Sequence, residues 1–82
     1  MTIADLINGR LRDMAMGAPE LRKELERRGV EITRQSIHAW LSGQSRPSPA
    51  NLLVLWDVLV VPMDEREAWM VALAAPANAP AA

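Results

Sequence analysis

Apolar residues recur at helical spacing from the start of the chain: Ile3, Leu6, Ile7, Leu11 and Met14 share one helical face. A helix over residues 3–15 follows, with Thr2 as N-cap, Asp5 three positions on as capping-box partner, and Gly17 as its stop. Pro19 suits the first position of a second helix over 19–28, in which Leu21 and Leu25 face inward and Gly29 ends the turn. After the connection Val30-Glu31-Ile32, Thr33 caps a third helix over 34–42; Ile37, Trp40 and Leu41 form its apolar stripe and Gly43 closes it. The stretch Gly43-Gln44-Ser45-Arg46-Pro47 reads as a loop, and Ser48-Pro49 as the cap and first position of a fourth helix over 49–60. Leu52, Leu53, Trp56, Leu59 and Val60 are its expected buried face.

Pro62 breaks the chain, Asp64 and Glu67 are placed as a second capping box, and a fifth helix over 65–75 carries no polar residue from Ala68 onward. Residues 76–82 contain only Pro, Ala and Asn and read as a disordered tail. No alternation of β-branched with polar residues predicts a strand, and no internal repeat is present. The expectation is an all-α, compact five-helix bundle forming one domain over residues 1–75.

Composition narrows what such a bundle does. Half of the 82 residues are hydrophobic, enough for one modest core, and there is no cysteine, so neither a disulfide nor a thiolate metal site holds it. No apolar run reaches the roughly 18 residues that cross a bilayer, and Asp5, Asn8 and Arg10 interrupt any signal-peptide core. A soluble, cytoplasmic chain with no membrane partner is expected. The formal net charge of -1 speaks weakly against nucleic acid, but the charges are unevenly placed. Residues 1–46 hold eight Lys/Arg against six Asp/Glu, and residues 47–82 hold one against four. Between Glu31 and Asp57 there is no acid, while Arg34, His38 and Arg46 lie inside that gap; such a segment approaches phosphates without repulsion.

The segment from Thr33, T-R-Q-S-I-H-A-W-L-S-G-Q-S-R-P-S-P, resembles the recognition helix and following loop of the Cro/C1-type, lambda-repressor-like (XRE-type) helix-turn-helix family. The resemblance rests on the polar triplet Arg34-Gln35-Ser36, Ile37 as inward anchor, Trp40, the Gly43 stop and a basic loop ending in Pro47, and it covers residues 3–61. The chain departs from the family pattern in two places: Arg22 stands after Leu21 where a small residue is usual, and the span from Leu21 to Ile37 is several residues longer.

The resemblance implies a sequence-specific DNA-binding transcriptional regulator, a repressor on a palindromic operator, with phage or mobile-element origin suggested by analogy. A short helix with one apolar stripe docks on a core and leaves its first polar residues free for a major groove. In that pose Arg34 meets a guanine edge, Gln35 an adenine edge, Ala39 a thymine methyl, and His38 sits one turn on. Thr33, Ser36, Ser42, Gln44, Ser45 and Arg46 are placed against phosphates. Helix five has three readings: it completes the monomer core, pairs with a second copy, or receives another protein. The homodimer is preferred, with Trp69, Met70 and Leu73 at its interface, because two-fold symmetry doubles base contacts over half-sites about one helical turn apart.

Plainer readings stand beside these. The mixed charges of helix two form a solvated face, the three tryptophans are core with stacking on bases as the minor alternative, and Gln44, Ser45 and Arg46 are a solvated loop. His38 has no second ligand or base nearby, so no metal, cofactor, small-molecule substrate or catalytic set is expected. The functional alternative is a protein-interaction module, antitoxin-like or adaptor, using the apolar fifth helix.

Overall fold

The computed structural model describes residues 1–75, and within them the chain is all-helical. Five helices follow one another: α1 (Ile3–Asp13), α2 (Ala18–Arg27), α3 (Arg34–Ser42), α4 (Pro49–Val58) and α5 (Met63–Ala74). The expected tail, 76–82, lies outside the described residues.

α1 starts at a complete capping box. The Thr2 hydroxyl accepts from the Asp5 backbone N–H at 3.1 Å, and Asp5 Oδ2 accepts from the Thr2 N–H at 3.0 Å. The helix ends at Asp13 with Met14 as its C-cap, short of the expected residue 15, because Ala15 takes a left-handed φ of 52° and turns the chain; Gly17, the expected stop, instead precedes α2 as its N-cap. At the end of α2, Gly29 adopts φ 82° and Val30 N–H returns to Leu25 C=O at 3.0 Å, satisfying a terminal carbonyl as the left-handed cap does.

α1 packs on α3 and α5, and α2 packs on α3 and α4. Ile3, Ile7 and Leu11 of α1, Leu21 and Leu25 of α2, Ile37 and Trp40 of α3, and Trp69 of α5 close into one core with the α4 stripe. Each such aliphatic side chain removed from water contributes about 1.5–3 kcal/mol.

Two parts of the sequence reading need correction. Leu53 and Val60, placed on the buried face of α4, are 61% and 66% exposed, while Leu55 and Val58 are buried. The buried stripe runs Leu52, Leu55, Trp56, Leu59, an i, i+3, i+4, i+7 set. α4 is apolar on most sides, and its outer face is marked only by exposed Asp57, four positions after Leu53; Val60 has left the helix with φ 51° on the way to buried Val61. The capping box assigned to Asp64 and Glu67 does not form. α5 begins at Met63 after Pro62, with no side-chain cap; Asp64 lies inside the first turn with Glu65, where a carboxylate favours the helix dipole.

Polar clasps tie the helix ends together. Asn8 Nδ2 donates to Leu41 C=O of α3 and to Ala4 C=O, both at 2.9 Å. Arg10 donates to Leu59 C=O at 2.8 Å and to Val60 C=O at 3.1 Å, covering the C-terminus of α4. Arg28 bridges Asp57 at 2.7 Å and Glu24 at 2.9 Å, and these two carboxylates, Asp57 foremost, raise its pKa.

Candidate nucleic-acid interface

α3 is fixed by few residues and leaves many free. Thr33 caps it, accepting from the Ser36 N–H at 3.1 Å and donating its hydroxyl to Ser36 Oγ at 3.0 Å. Ile37 and Trp40 are buried, Leu41 is half-buried, and Gly43 closes the helix in the left-handed region at φ 82°. Those anchors turn Arg34, Gln35, Ser36, His38 and Ser42 to solvent, with Ala39 half-exposed between them. The four residues assigned to bases thus lie on one short, exposed and acid-free helix.

The preceding turn is held from α2. Arg22 Nε donates to Ile32 C=O at 3.2 Å while facing Glu26 at 3.3 Å. Arg22 therefore secures the connection between α2 and α3.

Between α2 and α3 lies a shallow groove lined by Pro19, Arg22, Lys23, Glu26, Arg34 and Ile37. Glu26 is engaged by Arg22, whereas Lys23 and Arg34 have no ion-pair or hydrogen-bond partner among the described residues. Two uncompensated cations from different helices thus share one concave surface, and a polyanion is the chemistry that complements it. Sequence reasoning missed Lys23. Its neighbours along α2 alternate in sign, and only the pairing of Arg27 and Arg28 with Glu24, and of Arg22 with Glu26, shows which cation is left over.

The residues assigned to phosphates divide. Ser36 Oγ accepts from Thr33 and keeps its own proton for a further acceptor. Ser42 Oγ donates to Ala39 C=O at 3.3 Å, Gln44 is exposed, and Ser45 is half-buried. Arg46 stands differently from its assignment: its guanidinium donates to Leu73 C=O at 2.6 Å and to Ala75 C=O, capping the C-terminus of α5. A helix end carries carbonyls with no internal partner, and a cation is the natural cover for them.

The residues assigned to a dimer interface also divide. Trp69 is 1% exposed and sits in the core of its own chain, so it presents nothing to a second copy. Met70 is 50% exposed and Leu73 half-buried; both line a groove with Pro47 and Pro49. Trp40 and Trp56 are buried as well, which leaves no indole for base stacking. Arg66 lies 5.2 Å from the Trp56 ring centre and donates to Val61 C=O at 3.1 Å.

Among the described residues, no three His, Asp or Glu side chains gather as a metal-binding group, and no helix is long and apolar enough to cross a membrane. No protein-family model matches the chain, and no curated protein and no solved structure matches it either.

Proposed function

We propose that this chain is a sequence-specific DNA-binding regulator in which α2 and α3 act as a helix-turn-helix and α3 enters the major groove. The observation that carries the reading is the division of α3: Ile37 and Trp40 hold it on the core, while Arg34, Gln35 and His38 are all solvent-exposed. Arg34 and Gln35 have the donor geometry for guanine and adenine edges, respectively. Lys23 across the α2–α3 groove and the Ser36 hydroxyl supply phosphate contacts that set register without reading sequence. The likeness of the segment from Thr33 to Pro47 to Cro/C1-type recognition helices adds to this reading, as does the absence of acids between Glu31 and Asp57.

A homodimer on a palindromic operator is part of the proposal, with Met70 and Leu73 rather than Trp69 as its apolar contacts. Repression follows from occlusion of a promoter by such a dimer.

The experiment is selection of bound sequences from a random duplex pool, with the wild-type chain and Arg34→Ala in parallel. The expected result is a short inverted repeat, with preference flattened at one base per half-site in the variant and a loss of about 1–3 kcal/mol on the best operator. No enrichment at moderate salt would defeat the DNA reading in favour of a protein-interaction module.

A further inference from the structure

α5 is apolar on more sides than its core contact uses. Trp69 and Ala72 face inward, and Met70 and Leu73 border the loop before α4. A third set, Asp64, Ala68, Val71 and Ala75, recurs at i, i+4, i+7 and i+11 on another line of the helix. This line and the start of α1 form a second groove, with Leu6 and Val71 as apolar lining and Met1 at its edge. Val71 is 66% exposed and Met1 92%. Asp64 and Glu67 stand on the same groove, and neither has an ion-pair or hydrogen-bond partner among the described residues; the Met1 amino group does not pair with them.

We infer that this α1–α5 groove docks a cationic amphipathic helix of a partner protein, its apolar side chains against Leu6 and Val71 and a lysine or arginine against Asp64 and Glu67. Charge complementarity selects this occupant. A second copy would have to bring a basic helix face of its own, whereas among the described residues the Lys and Arg side chains without an ion-pair or hydrogen-bond partner are Lys23 and Arg34 on the α2–α3 groove and Arg12, a single charge on α1. The mixed character also fixes how binding should respond: the apolar contact supplies affinity, and the two carboxylates choose the sign of the partner. The inference does not depend on the DNA reading, because the two grooves share no residue.

The test titrates the full isotope-labelled chain with a synthetic amphipathic helical peptide of leucine and lysine, and with its leucine and glutamate counterpart. Saturable amide shifts at Leu6, Ala68 and Val71 are expected with the lysine peptide alone. Asp64→Lys combined with Glu67→Lys should weaken that binding at least tenfold, and so should Val71→Arg; all three positions are exposed, so the fold should survive, as circular dichroism would show. The inference is overturned by equal binding of both peptides, by binding of neither, by shifts confined to Met70 and Leu73, or by undiminished binding to the variants. Loss of self-association on Val71→Arg would also overturn it, by giving the groove to a second copy.

Discussion

α3 and α5 each place one tryptophan in the core, Trp40 and Trp69, yet they leave different material outside. α3 has one apolar stripe, and nearly everything else on it is polar and exposed, so its inner and outer sides are chemically distinct. α5 keeps Met63, Met70 and Val71 exposed while burying Trp69 and Ala72, so apolar residues stand on both sides. A polar outer face that carries donors but no acids suits a polyanion. An apolar outer face with acids at one end suits protein. On the two proposals above, the two helices of one small bundle take different partners.

The largest expected effect tests the inner side of α5. Trp69→Ala removes a fully buried side chain and should cost about 3–5 kcal/mol, whereas Met70→Ala, half-exposed, should stay within about 0.5 kcal/mol. Urea denaturation of the two variants measures both. Against the roughly 5–15 kcal/mol that holds a typical domain together, the first loss is severe. Equal, small losses would mean that α5 is only loosely attached, and that Trp69 is available for an interface after all.

The next effect separates two basic residues, Lys23 and Arg46, that differ in whether the chain already engages them. Lys23→Ala should lower the slope of log affinity against log salt by about one unit, because Lys23 has no partner among the described residues and, on the proposed reading, meets a phosphate. Arg46→Ala should leave that slope unchanged and instead lower stability by about 1 kcal/mol, roughly 4–8 °C in Tm for a domain of this size, since its guanidinium covers α5 carbonyls. The reverse outcome would show Arg46 releasing α5 to hold DNA.

These cases mark how far the sequence is legible. The bounds and the buried side of α3 could be read, because an N-cap at Thr33, a stop at Gly43 and a single stripe between them agree. The expected all-helical, five-helix class is the class observed. α4 could be read as a helix but its apolar residues do not orient it, because Leu52, Leu53, Leu55 and Val58 differ little in polarity; exposed Asp57, four positions after Leu53, is the one signal that points to its outer side. Trp69 resists orientation for a related reason: from Ala68 onward α5 carries no polar residue to show which side faces the core. Asn8, Lys23 and Arg46 fall in another class. Whether a polar side chain is free, or already spent on Leu41 C=O, Leu73 C=O or another acceptor, depends on neighbours distant in the chain. Only the α2–α3 groove shows Lys23 beside Arg34.

The smallest effect returns to the start of α1, whose capping chemistry differs from that of α3. Thr33 caps α3 through its hydroxyl, a group that does not titrate near neutral pH, whereas the α1 box includes a carboxylate. The Thr2 backbone N–H, followed by the Thr2 side chain, holds the Asp5 carboxyl below its ordinary pKa of 3.8. A carboxylate with a depressed folded pKa stabilises the fold above its ordinary value, and that contribution fades as pH falls through the lower, folded pKa. The difference in Tm between the wild-type chain and Asp5→Ala should therefore be constant from neutral pH down to the region of 3.8 and narrow below it. For Thr33→Ala the difference should persist across the same range, because a hydroxyl cap keeps its hydrogen bond when carboxylates protonate. If the Asp5 difference persisted in acid as well, charge would have no part in the α1 cap, and the two helix starts would work by the same means.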